Sequence, residues 1–186
     1  VAGGLVQDHD GRVLQEQARL GTAFSGPTMA QIKRSLSLGV VAVMQPPFIY
    51  ANGDAAVKRA QDVGGDVRVF PFKTLLSEGV TVAASSDYPC APLEPLTGLY
   101  AMVNRRTRGG APVEPDEAVT PLEGLRMYTM GAAYSMGREG EVGSLEKGKR
   151  ADAVVLSHDP TAVAPEFIRE IAVEQTYIEG KLLFER

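Results

Sequence analysis

The residue whose type and position most strongly indicate chemistry is Asp87. It follows the apolar run Val80–Ala84 and two small hydroxyl residues, Ser85 and Ser86, and it precedes a Tyr-Pro pair. In β/α barrels and open α/β sheets, the carboxyl ends of the strands carry the reacting groups. A carboxylate at such a position can serve catalysis, or it can cap the turn that follows. From position alone, both interpretations stay open.

Histidine and cysteine, the usual ligands of zinc, are scarce. The chain has two histidines, His9 and His158, and one cysteine, Cys90. It has no H-x-H, H-E-x-x-H or C-x-x-C pattern. His9, beside two aspartates, is interpreted as part of a hairpin tip, with a weak surface metal site as the alternative. Cys90 has no histidine near it in the sequence, which argues against a nucleophilic role.

Two further patterns could bind anions. Residues 143–149 match G-x-x-x-x-G-K, but Arg150 replaces the Ser or Thr of a phosphate loop, and a strand rather than a helix is expected to follow. We therefore interpret this segment as a polar turn. Three arginines beside Gly109-Gly110 are interpreted as an exposed basic loop, with an anion site as the alternative: Arg105, Arg106 and Arg108. Surface positions, rather than substrate contacts, are expected for Gln45, Arg68 and Lys73.

The elements that must position these residues alternate between buried strands and helices from residue 28 to 137, which favours an α/β fold. Thr120-Pro-Leu-Glu123 is a clear helix start, because Thr suits the N-cap, Pro the first turn and Glu the capping box. Helices are predicted at residues 28–38, about 54–62, 72–77 and 120–135. Strands are predicted at 40–44, 80–84 and 153–156. Hairpins are predicted at 5–14, with the turn around Asp10-Gly11, and at 174–185, with the turn at Gly180-Lys181. Residues 67–70 are predicted to be a short strand or an extended link.

Composition excludes several classes of function. The chain of 186 residues carries a net charge of −4, which argues against general nucleic-acid binding. No apolar stretch reaches the roughly 18 residues that a membrane span needs, and the start shows no signal-peptide pattern. A single cysteine fits the reducing cytoplasm. We therefore expect a cytoplasmic globular protein that binds neither nucleic acid nor membrane.

Four stretches, in order along the chain, resemble the carboxy-terminal part of a metal-dependent hydrolase of the amidohydrolase superfamily. Within the superfamily they resemble most the amidohydrolase-3 group, which includes YtcJ-type and N-acyl-amino-acid hydrolase-like proteins. Residues 38–46 (LGVVAVMQP) resemble the sixth barrel strand, and residues 75–87 (LLSEGVTVAASSD) the seventh helix and eighth strand. Residues 120–133 (TPLEGLRMYTMGAA) resemble the helix that follows. Residues 143–156 (GSLEKGKRADAVVL), the most specific of the four, resemble the return into a β-sandwich. Together the stretches cover residues 28–186.

The resemblance implies the last units of a (β/α)8 barrel and a β-sandwich built from both chain ends. It divides the chain into an unassigned segment (1–27), barrel units (28–140) and a sandwich portion (141–186). In the family, the metal, usually zinc, is held by an H-x-H pair, a lysine or glutamate, two more histidines and an aspartate on the eighth strand. The aspartate has a counterpart here in Asp87, which the resemblance makes a metal ligand and the acceptor of a proton from the attacking water.

The other metal ligands of the family have no counterpart. Asp8-His9-Asp10 is not an H-x-H pair, and Ala23–Gly26 stands where a Glu-His is expected before Pro27. A zinc ion needs three or four ligands, so we expect this chain to be inactive by itself. It begins at Val1 rather than Met, which fits a fragment of a hydrolase that acts on C–N bonds of small amide-type molecules, or a processed product.

Two alternatives compete with this interpretation. The first is a non-catalytic module derived from the family, whose uncovered strand edges and apolar faces would favour a homo-oligomer. The second is a metal-free hydrolase that uses Asp87 and Cys90.

Overall fold

The computed structural model describes residues 27–63, 65 and 67–186 of a mixed α/β chain. Its helices are α1 (Met29–Ser37), α2 (Pro47–Val63), α3 (Phe72–Ser77), α4 (Pro95–Asn104), α5 (Pro121–Arg126) and α6 (Ala132–Ser135), and its strands are β1 (Ala42–Met44), β2 (Val82–Ala84), β3 (Ala153–Leu156), β4 (Val173–Ile178) and β5 (Lys181–Glu185). The predicted hairpin at 5–14 and His9 lie outside the described residues. None of the described helices has both the length and the apolar character that crossing a membrane requires.

The two predicted buried strands pair with each other in parallel. Ala42 lies opposite Val82 and Met44 opposite Ala84, and every residue of β2 is buried. Strands that pair directly in a (β/α)8 barrel are consecutive, so in such a barrel β1 and β2 cannot be the sixth and the eighth strand together.

The connection between these strands differs from the prediction in two places. Helix α2 begins at Pro47, not near Asp54, because proline suits the first helical turn and the Phe48 N–H already donates to the Gln45 carbonyl oxygen at 3.1 Å. Residues 67–70 form neither a strand nor a fully extended link, because the chain bends at residues 69 and 70, where Phe70 has a positive φ of 51°, before it enters α3.

Two helices follow β2 and the Asp87 segment. Helix α4 (Pro95–Asn104) was not predicted, although Pro95 stands at its first turn and its buried residues include Leu99 and Met102. The predicted helix at 120–135 is confirmed as α5, a π-helical turn (Met127–Gly131) and α6 in succession. Its capping box is present, because the Glu123 N–H donates to Thr120 Oγ1 at 3.2 Å and the Thr120 N–H donates to Glu123 Oε2 at 2.7 Å.

The π-helical turn packs directly on β2 through Gly131. A Cβ at this position would overlap the carbonyl oxygen of Val82, so only glycine allows the helix to lie this close to the strand. The same core includes Phe72 of α3 and Leu99 of α4, both almost fully buried. Strand β2, which precedes Asp87, therefore packs with helices that lie on either side of it in the sequence.

The carboxy-terminal part forms a separate antiparallel sheet in the order β3-β4-β5. The hairpin between β4 and β5 turns at Glu179-Gly180, one residue earlier than predicted, and both residues have positive φ (51° and 74°) as a tight two-residue turn requires. Residues 143–149 form turns before β3, and the Lys149 ammonium donates to Ser144 Oγ at 2.7 Å within this segment.

Candidate functional site

Asp87 lies at the carboxyl end of the parallel pair, immediately after the last hydrogen bond between the strands. That bond runs from the Ser85 N–H to the Met44 carbonyl oxygen at 2.9 Å. Asp87 has a positive φ of 53°, and the Cys90 N–H donates to its carbonyl oxygen at 2.8 Å. The chain thus reverses sharply at Asp87, in a left-handed backbone conformation that aspartate adopts more readily than most other residues.

The carboxylate of Asp87 is not used as a cap. The Tyr88 N–H donates to Ser86 Oγ at 3.3 Å, so the preceding serine supplies that contact. Asp87 Oδ2 is buried, and it has no hydrogen-bond partner within the described part of the chain. Buried polar atoms without a partner are rare in proteins and call for an explanation such as a bound ion or a catalytic role. The capping alternative is therefore disfavoured.

Oδ2 of Asp87 is suited to bind a divalent metal ion as a single ligand. Carboxylate oxygen is a normal zinc ligand, and coordination would supply the missing partner. Among residues 27–63, 65 and 67–186, no group of three or more His, Cys, Asp or Glu side chains is placed to hold a metal. Asp87 therefore fits as a single ligand, and the described residues do not provide a complete metal centre.

Of the other candidate residues from the sequence, Gln45 and Cys90 lie close to Asp87 along the sheet edge or the chain, whereas His158 and Lys73 lie in other segments. Gln45 follows β1 at the same edge of the sheet as Ser85, and its Nε2 donates back to the Val43 carbonyl oxygen at 3.4 Å. Cys90 is exposed, three residues after Asp87. His158 and Lys73 are exposed and lie in other segments of the chain, so neither joins Asp87.

Arg105 was interpreted as part of an exposed loop, and this is wrong. It is the left-handed C-cap of α4, and only 1% of its surface is exposed. Its guanidinium donates to four carbonyl oxygens, those of Val69 (2.8 Å), Phe70 (3.0 Å), Val113 (2.8 Å) and Glu114 (3.2 Å). Burial lowers the pKa of Arg105 to about 10, although Glu114 and a second carboxylate, Glu117, oppose the change.

The two glutamates complete this buried network. Both carboxylate oxygens of Glu114 accept from the Val69 N–H at 3.0 Å, and burial raises the pKa of this carboxyl group. Glu117 accepts from the Thr74 N–H at 2.9 Å, from the Thr74 hydroxyl and from Arg68 Nη1 at 3.2 Å. Arg68 thus belongs to this structural network.

The network joins the segment before β2 to the segment after α4. Residues 68–74 lead into α3 and then β2, whereas residues 105–117 follow the helix that comes after Asp87. The Asp87 segment is therefore bracketed by two parts of the chain that are hydrogen-bonded to each other. Sequence reasoning missed this network because its partners lie up to 49 positions apart, as Arg68 and Glu117 do.

A sequence model described as "Amidohydrolase family" matches residues 8–184. The match begins before residue 28, where the resemblance in the sequence motifs started. Among curated proteins, the N-substituted formamide deformylase of Arthrobacter pascens is 40% identical over 168 residues, which are 90% of this chain and 31% of that protein. YtcJ of Bacillus subtilis (strain 168) is 29% identical over 160 residues, covering 83% of this chain and 30% of YtcJ.

A solved structure has the same arrangement of elements. The chain is similar to an uncharacterized metal-dependent hydrolase from Pyrococcus horikoshii OT3, with a TM-score of 0.62 and 27% identity, over 77% of this chain and 29% of that one. The chain spans about a third of the length of the curated relatives named above.

Proposed function

This chain belongs to the amidohydrolase family, and from that premise we propose that it carries the eighth-strand aspartate of a metal-dependent hydrolase that cleaves C–N bonds in small amide-type molecules. The observation that carries the proposal is Oδ2 of Asp87 beyond the carboxyl end of β2, which is buried and has no hydrogen-bond partner among the described residues. We further propose that residues 28–140 form the last units of a (β/α)8 barrel and that residues 141–186 form part of a β-sandwich. The parallel pairing of β1 with β2 and the antiparallel sheet β3-β4-β5 support this division.

In this proposal Asp87 has two tasks. It holds the metal, zinc by analogy with the family, through one oxygen, and it accepts a proton from the water that attacks the amide carbonyl carbon. The metal, when bound, would lower the pKa of that water and polarise the carbonyl. Asp87 then passes the proton to the departing nitrogen, so the C–N bond breaks and an acid and an amine are released.

We propose an N-substituted formamide or a related small amide as the substrate. The support is the name of the Arthrobacter pascens relative and its 40% identity over most of this chain. We also propose that this chain alone is inactive, because its described residues offer one metal ligand where zinc needs three or four.

The test of Asp87 uses zinc content by elemental analysis and release of formate from an N-substituted formamide. In an enzyme that contains this segment together with the remaining ligands, Asp87→Asn is expected to lower the rate by at least about 100-fold, since a general base contributes about 10²–10⁴-fold. Asp116→Asn, a change at an exposed aspartate, is the matched control and should leave the rate unchanged. An unchanged rate in Asp87→Asn would remove Asp87 from the mechanism.

The same assays separate the metal-free alternative. The chain of 186 residues itself, purified without a histidine tag and dialysed, is expected to retain no stoichiometric zinc and to release no formate. Formate release without zinc, abolished by Cys90→Ser, would instead support the hydrolase that uses Asp87 and Cys90. Stoichiometric zinc in the dialysed chain would contradict the proposal that it lacks a complete metal centre.

A non-catalytic, oligomerising module is the second candidate, and one observation favours it. Large apolar side chains of the hairpin β4–β5 are exposed, including Leu183 (67%) and Phe184 (48%). Exposed apolar side chains grouped on one sheet are typical of interaction surfaces. We therefore propose a cytoplasmic homo-oligomer. Sedimentation equilibrium of the chain should show an oligomer that Leu183→Lys/Phe184→Lys weakens, and a monodisperse wild-type monomer would contradict it.

A further inference from the structure

Two arginines from distant parts of the chain meet on a pair of stacked tyrosines. Tyr50 of α2 and Tyr100 of α4 pack edge to face, with ring centroids 6.0 Å apart and planes at 89°. The guanidinium carbon of Arg169 lies 4.3 Å from the Tyr50 centroid and 5.4 Å from the Tyr100 centroid. That of Arg108 lies 5.6 Å from the Tyr50 centroid. Cation–π contact thus places both guanidinium groups beside the ring of Tyr50.

The backbone at each arginine is also anchored. The Arg108 N–H donates to the Tyr50 carbonyl oxygen at 2.8 Å, which ties its loop to α2. Arg169 lies in a 3-10 segment (Pro165–Glu170) that is fixed next to α4 by the buried side chain of Ile168 and by a 2.8 Å bond from Asn104 Nδ2 to the Pro165 carbonyl oxygen. Because the positions are set before any ligand arrives, a ligand would not have to order these side chains.

Neither arginine has an acidic partner. Both are exposed, and in the described part of the chain no hydrogen bond or ion pair reaches either guanidinium group. The exposed carboxylates nearest in sequence, Glu166 and Glu170, flank Arg169 without forming an ion pair with it. The ring contacts use no guanidinium N–H group in a hydrogen bond to the described residues, so these N–H groups remain available as donors.

We propose that Arg108 and Arg169 bind a phosphate group. The two distances to the Tyr50 centroid keep the guanidinium carbons less than 10 Å apart. A phosphate bound between them could accept from both N–H edges, and a diphosphate could place one phosphate on each arginine. The site is made by residues outside the Asp87 segment, so it does not depend on the proposed hydrolase function.

The test follows the arginine Nε–H signals of the chain by NMR during titration with sodium phosphate, and separately with pyrophosphate, against sodium chloride at equal ionic strength. The signals of Arg108 and Arg169 are expected to shift saturably with phosphate or pyrophosphate. Arg108→Gln and Arg169→Gln should each raise the dissociation constant for phosphate about fivefold. This factor corresponds to the upper end of the range for an exposed ion pair. Arg106→Gln is the matched control, because Arg106 is in the same loop and its Nη1 donates to the Gly110 carbonyl oxygen at 2.8 Å.

The outcomes separate the possible sources of any effect. Binding of pyrophosphate without phosphate would indicate one phosphate group on each arginine and would support the site. Shifts that chloride reproduces, or that persist in both Gln variants, would overturn it. Arg169→Gln could also loosen the 3-10 segment, so its melting temperature is measured in parallel. Arg108→Gln, which leaves Arg169 on both tyrosines, then decides the result.

Discussion

Gly98 in the middle of α4 provides the sharpest test of how this helix is held. The ring of Tyr128, from the π-helical turn, lies directly against it. A Cβ at residue 98 would overlap the Tyr128 hydroxyl oxygen, would lie 2.9 Å from the ring carbon that carries the hydroxyl, and would lie 3.3 Å from Pro47 Cδ. An aromatic ring and a proline cannot yield as the end of a flexible side chain can. We therefore expect Gly98→Ala to destabilise the protein.

The size of the effect follows from two opposing contributions. Replacing glycine by alanine inside a helix stabilises by about 1 kcal/mol, whereas overpacking costs about 1–3 kcal/mol and sometimes more. We expect a net loss of up to about 2 kcal/mol in the free energy of unfolding.

Tyr128→Phe should instead stabilise the protein. Its hydroxyl is buried without a partner in the described residues, and burial raises the pKa of this group, so removing it should stabilise by about 1 kcal/mol.

The assay is urea unfolding of wild type, Gly98→Ala, Tyr128→Phe and the double variant. In the Tyr128→Phe background the overlap with oxygen is gone, so Gly98→Ala should cost about 1 kcal/mol less there than in wild type. Gly124→Ala is the control, because the atoms that its Cβ would meet can move aside. They are Leu99 Cδ1 at 2.5 Å and Met102 Cε at 3.0 Å, both ends of flexible side chains. An equal cost of Gly98→Ala in both backgrounds would refute the reasoning.

Three further predictions concern the polar contacts. Arg105→Met should lower the free energy of unfolding by about 3–5 kcal/mol, because it leaves buried carbonyl oxygens without donors, and Arg105→Lys should recover little of it in urea unfolding. The raised pKa of Glu114 means that the folded state holds its proton more tightly than the unfolded state, so stability should fall as the pH rises above the ordinary value of 4.5. Glu114→Gln should remove that part of the pH dependence, and identical pH profiles would contradict it. Thr120→Ala should cost about 1 kcal/mol and should raise the pKa of Glu123, which the Thr120 N–H and hydroxyl keep low, as NMR titration of that carboxyl group can measure.

Features that depend on neighbours in the sequence were predictable. The capping box at Thr120 and Glu123 is formed by residues three positions apart, and it is present as predicted. The apolar run before Asp87 indicated a strand buried on both faces, and all three residues of β2 are buried. The position of Asp87 after that run was sufficient to select it as the candidate site residue.

Features that depend on distant partners were not predictable. The burial of Arg105 requires the carbonyl oxygens of Val69 and Phe70, which lie 36 and 35 positions earlier in the sequence. The residues next to Arg105 in the sequence therefore do not indicate that it is buried. The start of α2 was missed for a different reason. The sequence predicts a helix only from about Asp54, whereas Pro47 satisfies the first turn of a helix, and the fold uses it in that way.

The contrast among buried polar groups gives Asp87 its significance. The buried charges of Arg105 and Glu117 are matched by carbonyl oxygens, by Thr74 and by Arg68, so the fold satisfies them internally. Among the described residues Tyr128 also lacks a hydrogen-bond partner for its hydroxyl, but this group is neutral, and its burial costs about 1–3 kcal/mol. A carboxylate oxygen without a partner costs more to bury than a hydroxyl oxygen does. A cation that coordinates Asp87 would remove that cost, which is why the geometry favours a metal ligand over a structural aspartate.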